Sequence, residues 1–117
     1  MARATLPSSP ERPADIPPAR LYAALADAGE LEFAGVCDAN ADQARTIAER
    51  FKVRTFANAT EAAAAADALS IVTPTVTHFQ IASELLPLGK HLLVEKPMTE
   101  TAEQAARLVA LAQEHGA

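Results

Sequence analysis

The sequence predicts an α/β fold built on a parallel sheet, and three observations predict it. Apolar runs typical of strands span residues 31–37, 68–72 and 91–94. Each run ends in polar residues and leads into a stretch with apolar residues at helical spacing. Strands and helices that alternate on this length scale form right-handed βαβ units, whose strand ends meet at one edge of the sheet.

Composition bounds the chain to one domain of 117 residues and excludes several classes of function. Half of the residues are hydrophobic, so the chain can bury a core. A net charge of −5 without a basic cluster argues against nucleic acid or an anionic membrane as partner. The single Cys37 excludes an internal disulfide, and the three histidines are too scattered to predict a metal site. Without a membrane span or an apolar signal core, a cytoplasmic location is expected.

The N-terminal segment, residues 1–18, holds five of the eight prolines. Proline lacks the N–H that a strand ladder requires, so this segment is not predicted to contain a central strand. We expect an extended, disordered arm over 1–18, followed by a domain over 19–117. The first helix is predicted over 19–28, where Leu21, Leu25 and Ala28 repeat at helical spacing before Gly29.

Each later element has its own local signal. Asn40 and Gln43 resemble a capping box for a helix over 41–51, and Thr60 is the expected cap of a helix that ends near residue 66. Thr77 and Gln80 suggest a second capping box, for a helix that ends near residue 86. Short strands are predicted over 53–56 and 91–95, and a last helix over 101–114.

Glu95-Lys96-Pro97 directly follows the apolar run 91–94 and is the most informative feature of the chain. Ligands of open α/β sheets bind at the carboxyl ends of the strands. A lysine there can hold a substrate hydroxyl or stabilise negative charge, and a proline restrains the backbone beside it. The alternative is an ordinary solvated strand end.

Three segments together resemble the Gfo/Idh/MocA oxidoreductases, a family that includes glucose-fructose oxidoreductase and inositol dehydrogenase. The resemblance runs from about Arg20 to the end of the chain. Its segments are Gly35-Val36-Cys37-Asp38, Ser70-Ile71-Val72-Thr73-Pro74-Thr75 with His78 after it, and Gly89-Lys90-His91-Leu92-Leu93-Val94-Glu95-Lys96-Pro97. The resemblance implies a Rossmann-like, doubly wound sheet and a dinucleotide cofactor.

The resemblance also implies roles for residues that follow the second and fourth strands of the family. Asp38 would accept hydrogen bonds from the adenosine ribose, which favours NAD over NADP because an acid repels the extra phosphate. The alternative for Asp38 is a residue that only begins the next helix. Thr73, Pro74 and Thr75 would border the nicotinamide. His78 would lie near the same cleft, or would be structural.

By the same resemblance, Glu95, Lys96 and Pro97 would face the junction of cofactor and substrate. In the family this lysine contacts substrate and assists the proton movement that accompanies hydride transfer. The expected substrate is a sugar, a cyclitol or a similar hydroxy compound.

The sequence departs from the family pattern at both ends. The family begins with a central strand and a Gly-x-Gly-x-x-Gly turn, but none of the four glycines precedes the first predicted helix. We therefore expect an incomplete sheet that lacks its first strand and its glycine-rich turn. The family continues into a substrate domain, which we expect this chain to lack. NAD binding is expected to be weak or absent, and the chain alone is expected to be inactive.

Two functions from different classes remain. The first is the nucleotide-binding portion of an NAD-dependent oxidoreductase. The second is a truncated or mis-framed, non-catalytic remnant, which would form homo-oligomers or pair with a longer relative through exposed strand edges. Biliverdin reductase and dihydrodiol dehydrogenase share the fold of the family, so the substrate stays open.

Overall fold

The computed structural model describes residues 2–7 and 17–117, which form a five-stranded parallel sheet flanked by helices. The strands are β1 (Ala2–Pro7), β2 (Leu31–Cys37), β3 (Arg54–Phe56), β4 (Ala68–Ile71) and β5 (His91–Val94). The helices are α1 (Pro17–Asp27), α2 (Ala41–Phe51), α3 (Ala59–Ala64), α4 (Thr75–Leu85) and α5 (Ala102–His115), with a short 3₁₀ helix, Leu86–Leu88, after α4. The strand order β3-β2-β1-β4-β5 confirms the predicted Rossmann-like, doubly wound α/β class.

The prediction that the first strand is missing was wrong. β1 lies at the centre of the sheet, where Ala2 pairs with Leu31 of β2 and Thr5 pairs with Leu69 of β4. The proline count over 1–18 misled because only Pro7 lies in β1, at its last position, so the missing N–H interrupts no ladder within the strand. β2 and β4 therefore do not pair with each other. Residues 8–16, the middle of the expected arm, lie outside the described residues.

The bounds of α2 agree with the prediction, those of the other helices differ by one to three residues, and two of the predicted caps differ. Asn40 caps α2 as predicted, and its Oδ1 accepts hydrogen bonds from the backbone N–H groups of Asp42 and Gln43. Asn58, and not Thr60, caps α3, because the extended backbone at residue 58 lets its Oδ1 reach the N–H of Glu61. The capping box at Thr77 was also wrong.

α4 begins two residues before Thr77, and its N-cap is Pro74 without a side-chain cap. Thr77 lies within the first turn, where its hydroxyl lies 2.6 Å from the carbonyl oxygen of Pro74. Threonine in the first turn can bond back to a carbonyl three residues earlier, which competes with its use as a cap.

The helices pack on both faces of the sheet and divide the core into two clusters. One cluster joins β4 to α3, α4 and α5, with Leu69, Ile71 and Leu85 at most 1% exposed. The other joins β2 to α1 and α2 through Val36 and Ile47, each 0% exposed. Successive strand residues point to opposite faces, so the apolar runs without alternation are those of strands buried on both sides.

Gly35 of β2 leaves no room for a side chain beside β3. A Cβ atom built on Gly35 would lie 2.5 Å from the carbonyl oxygen of Arg54 and 2.7 Å from a ring carbon of Phe56. Only a residue without a side chain fits between these atoms. Gly35 therefore permits the pairing that brings the end of β3 beside the end of β2.

Candidate cofactor site

Four segments meet at the carboxyl edge of the sheet, because all five strands run in the same direction. Asp38 follows β2, Ala57 and Asn58 follow β3, and Thr73-Pro74 follows β4. The segment 95–101, between β5 and α5, carries Glu95-Lys96-Pro97. The edge thus contains the predicted site residues, and ligands of open α/β sheets bind at this edge.

Asp38 is held at the end of β2 by the turn that begins α2. Its carboxylate Oδ1 accepts a hydrogen bond from the backbone N–H of Asn40 at 2.9 Å, and the residue is 8% exposed. The same turn lets the side chain of Asn40 cap α2. Asp38 is therefore an orientated carboxylate beside a helix N-terminus, as its alternative role predicts, and its contact with a ribose stays a prediction.

Asp38 lines a cavity of about 430 Å³ between the ends of β2, β3 and β4. Its other walls are mostly small or apolar: Cys37, Ala39, Ala57, Asn58, Ala59, Thr73, Pro74, Thr77 and Ile81. An adjoining cavity of about 520 Å³ also includes Asp38. An apolar cavity with one carboxylate on its wall suits a flat ring joined to a sugar hydroxyl, since such sites combine apolar walls with few polar groups.

A larger cavity, about 600 Å³, lies at the amino end of β2 and is lined by Leu31, Phe33, Arg50 and Val53 among others. It is at the opposite edge of the sheet from every predicted site residue. Parallel sheets bind ligands at the carboxyl edge, so the larger volume does not identify the site.

Thr73 and Pro74 form a turn that is braced from the first turn of α4. The hydroxyl of Thr77 lies 2.7 Å from the hydroxyl of Thr73 and 2.6 Å from the carbonyl oxygen of Pro74. The backbone N–H of Thr77 also donates to Pro74 at 2.9 Å. Three contacts onto two residues restrain this part of the cavity wall. Thr75, the third predicted residue, is the first residue of α4 and is half-buried.

His78 is buried, with 1% of its surface exposed. Its Nε2 lies 2.8 Å from the carbonyl oxygen of Thr73, and its Nδ1 lies 3.1 Å and 3.2 Å from those of Pro97 and Met98. The ring therefore contacts two site segments through their backbones. Of the two roles that the sequence left open, the geometry favours the structural one.

The backbone N–H of Glu95 donates to Ile71 at 3.0 Å, so the segment after β5 begins beside the end of β4. Lys96 is exposed, Glu95 is half-buried, and the peptide bond between Lys96 and Pro97 is cis. The ammonium group of Lys96 is thus accessible at the edge that also holds Thr73. The structure brings the Thr73 and Lys96 segments together, while Asp38 faces the other side of the Thr73 turn.

The segment between β1 and α1 is where a dinucleotide-binding sheet places its phosphate turn. Residues 8–16 contain no glycine and lie outside the described residues, so the loss of the glycine-rich turn stays a prediction from the sequence. α1 begins with Pro17 and Pro18, neither of which has a backbone N–H. The N-terminus of α1 therefore offers fewer donors to an anion than an ordinary helix does.

Several wall residues were missed by the sequence prediction. Asn58 follows a strand, as Asp38 does, and this position after β3 is the signal that could have identified it. Ile81 lies one helical turn after Thr77 and shares its face, a spacing that could have identified it. Cys37 is buried, and burial raises the pKa of its thiol, assisted by the nearby carboxylates of Asp38 and Glu61.

Within residues 2–7 and 17–117, no group of three or more metal-ligating side chains is close enough to hold an ion. The helices of this described part include none that is long and apolar enough to cross a bilayer. The cytoplasmic location stays a prediction.

The strand order and the residues at its carboxyl edge define a dinucleotide-binding α/β domain. Residues 17–117 match the model of an oxidoreductase family with an NAD-binding Rossmann fold. The chain belongs to this family, Gfo/Idh/MocA, as the sequence resemblance predicted.

One relative is the UDP-N-acetylglucosamine 3-dehydrogenase of Acidithiobacillus ferrooxidans, 42% identical over 82% of this chain and 29% of the relative. A solved structure of that enzyme superposes with a TM-score of 0.86 and 36% identity, over 98% of this chain and 36% of the other. The chain thus spans about a third of the length of the relatives that it matches.

Two further solved structures carry different cofactors. A protein from gentamicin A biosynthesis, in complex with NAD, has a TM-score of 0.79 and 25% identity over 99% of this chain and 33% of its own. A 3-ketoreductase from Actinomadura kijaniata, in complex with NADP and TDP-benzene, has a TM-score of 0.79 and 28% identity over 98% and 35%. The family therefore uses nicotinamide cofactors of both kinds.

Proposed function

We propose that this chain is the nucleotide-binding portion of an NAD-dependent oxidoreductase that acts on a sugar or a similar hydroxy compound. The single observation that carries the proposal is the shared edge of the sheet, where a buried carboxylate and an exposed lysine lie on either side of the Thr73-Pro74 turn. Relatives named as sugar dehydrogenases support the substrate class.

The Asp38 carboxylate would hold the adenosine ribose, because a carboxylate accepts hydrogen bonds from two neighbouring hydroxyl groups. The apolar walls around it suit the adenine ring. A 2′-phosphate placed at Asp38 would bring two negative charges together in a half-enclosed site, which supports NAD over NADP.

At the other end of the groove, Thr73, Pro74 and Thr75 would border the nicotinamide, with Glu95, Lys96 and Pro97 opposite. The cofactor, when bound, supplies hydride acceptance and donation. Lys96 would hold the substrate hydroxyl with its ammonium group and take part in moving the hydroxyl proton. Its exposure at the strand end makes it accessible to a substrate.

Affinity for the cofactor is expected to be low, because the pyrophosphate lacks its usual donors. Neither the segment 8–16 nor the first two positions of α1 supply the glycine-rich turn and the helix N–H groups of the family pattern. The chain alone is therefore expected to be inactive.

NADH and NADPH titrations of the purified chain test this proposal. We expect NADH to bind more tightly than NADPH, and Asp38→Asn to reduce the preference by about tenfold through the loss of one charge. Asp42→Asn is the matched control, because Asp42 is an exposed aspartate in the first turn of α2. Absence of binding by either dinucleotide at millimolar concentration would contradict the proposal.

The alternative function, a partner-binding remnant, depended on the strand edges that loss of the first strand would expose. β1 pairs with both β2 and β4, so those edges are covered. Homo-oligomer formation and pairing with a longer relative stay predictions.

A further inference from the structure

His78 lies beside the candidate cofactor groove, yet its ring is buried, with 1% of its surface exposed. It lies in the first turn of α4, whose backbone follows the Thr73-Pro74 turn directly. Burial of an imidazole costs free energy unless both nitrogens find partners. Both nitrogens lie within hydrogen-bond distance of backbone carbonyl oxygens, and these carbonyls belong to two different segments of the site.

The first partner is the carbonyl oxygen of Thr73, 2.8 Å from Nε2. The second and third are the carbonyl oxygens of Pro97 and Met98, 3.1 Å and 3.2 Å from Nδ1 and 19 and 20 residues away in sequence. Carbonyl oxygens only accept hydrogen bonds, and a neutral imidazole has one N–H, so the ring donates to one of the two segments while its other nitrogen lies against the second. Pro97 directly follows Lys96, so a contact that holds the carbonyl of Pro97 restrains the backbone of the lysine.

The rest of the segment after β5 is mostly exposed. Lys96 and Pro97 are exposed, and Met98 is 37% exposed. Glu95 is joined to β4 through the bond from its N–H to Ile71. The next contacts that the structure gives are those of Thr99 and Glu100 with the start of α5. Between these contacts, the ring of His78 lies against the carbonyls of Pro97 and Met98 and joins the segment to α4, and Met98 also lines a cavity with Ala82 of α4.

We propose that His78 is a positioning residue: it fixes the Lys96-Pro97-Met98 segment against the Thr73-Pro74 turn without contacting the cofactor. The proposal rests on the proposed function, since the two segments are the ones that would border the nicotinamide. The ring then sets the width of that end of the groove and the place of the Lys96 ammonium group. Removal of the ring would therefore alter the geometry of this end of the groove under conditions where the chain is still folded.

Two variants and a matched control test this role. His78→Ala removes both contacts, whereas His78→Gln keeps a side-chain amide that can donate to one segment at a time. His91→Gln makes the same change at an exposed histidine on β5 and is the control. Each chain is measured by backbone amide NMR and by NADH titration, both well below its thermal transition.

We expect His78→Ala to move the amide resonances of Thr73, Lys96 and Met98 together, while those of Asp38 and Asn40 stay in place. NADH affinity should fall by about tenfold, as expected for loss of a buried hydrogen bond that orders a binding segment. His78→Gln should recover part of the affinity, and His91→Gln should match the wild type. If His78→Ala does not fold, the NADH affinities and amide resonances of His78→Gln and His91→Gln are compared, and they decide whether His78 positions the segment.

A lower melting temperature with unchanged NADH affinity and unchanged Lys96 and Met98 resonances would overturn the proposal, because it would show a packing role alone. If the wild-type chain binds no NADH, the proposed function fails, while the amide resonances still decide whether His78 ties the two segments. The two failures are therefore distinguishable.

Discussion

The two sides of the carboxyl edge are held in place by different kinds of contact. On the Asp38 side, formed by the turns after β2 and β3, the hydrogen bonds join residues two or three positions apart: Asn40 to Asp38, Gln43 to Asn40, and Glu61 to Asn58. On the Lys96 side, formed by the segments after β4 and β5, His78 joins residues 19 and 20 positions apart.

Because the contacts differ in range, amino-acid substitutions on the two sides should have different effects. Local caps form whenever their helix forms, so the Asp38 side depends mainly on α2 and α3. The Lys96 side depends in addition on correct docking of β5 against α4, because the contacts of His78 with Pro97 and Met98 exist only when distant segments meet. Substitutions on the first side should alter affinity and local stability, and those on the second should alter the geometry of the reacting end.

The largest expected effect is that of Lys96→Met, which separates chemistry from binding. In an active form of the protein, kcat should fall by about 10²- to 10⁴-fold because proton transfer loses its side chain. NADH affinity should change little. Steady-state kinetics with NAD and a sugar substrate measure the first, and NADH titration the second. Lys90→Met, just before β5, is the control, and unimpaired turnover of Lys96→Met would remove the lysine from its role.

On the Asp38 side, Gly35→Ala is the substitution with the largest expected effect on stability. Its Cβ would meet the carbonyl oxygen of Arg54 at 2.5 Å, so the pairing of β2 with β3 must shift. We expect a loss of about 2–3 kcal/mol of unfolding free energy, measured by urea denaturation.

Gly29→Ala is the control for this substitution, since a Cβ there meets nothing within 4 Å, although φ is +77°. Its expected cost is about 1 kcal/mol, from the left-handed backbone alone. Equal costs for the two variants would show that the close approach at Gly35 does not matter.

Asn40→Ala tests whether local capping supports the site. Loss of the two bonds to Asp42 and Gln43 should cost about 1 kcal/mol of stability. NADH affinity should fall as well, because the turn that presents the N–H of residue 40 to Asp38 loosens. Thr101→Ala removes the cap of α5, whose Oγ1 accepts from Gln104 at 3.1 Å, and serves as control. If both variants leave NADH affinity unaltered, the cap serves the helix alone.

The smallest effect concerns Cys37, beneath Asp38. Burial, with the carboxylates of Asp38 and Glu61, raises the pKa of the thiol above its ordinary value of 9.0. The thiol therefore ionises at a lower pH in the unfolded chain than in the folded chain. Its contribution to the unfolding free energy is fully present below pH 9 and is lost as pH rises toward the folded pKa. The decrease should be at most about 1.4 kcal/mol per pH unit. Urea unfolding between pH 7 and 10 measures it, and an identical slope in Cys37→Ala would refute it.

Much of the fold could be predicted from local patterns. The bounds of β2 and α2 agree with the predictions residue for residue, because buried strands and amphipathic helices have short periods and their caps lie next to them. Asp38 and Lys96 could be placed at strand ends for the same reason. Their roles came from the family resemblance, and the family assignment is confirmed over residues 17–117.

By itself, the sequence determined the alternation of strands and helices, most of their ends, and which polar residues follow each strand. Only the tertiary structure decided that Ala2–Pro7 enters the sheet between β2 and β4, that Gly35 admits Arg54, and that His78 turns inward to the carbonyls of Thr73 and Pro97. The physical reason is the sequence separation over which each feature is determined. Periodicity and capping depend on neighbours within about four residues, whereas strand order and a buried histidine's partners depend on which distant segments the packed core brings together.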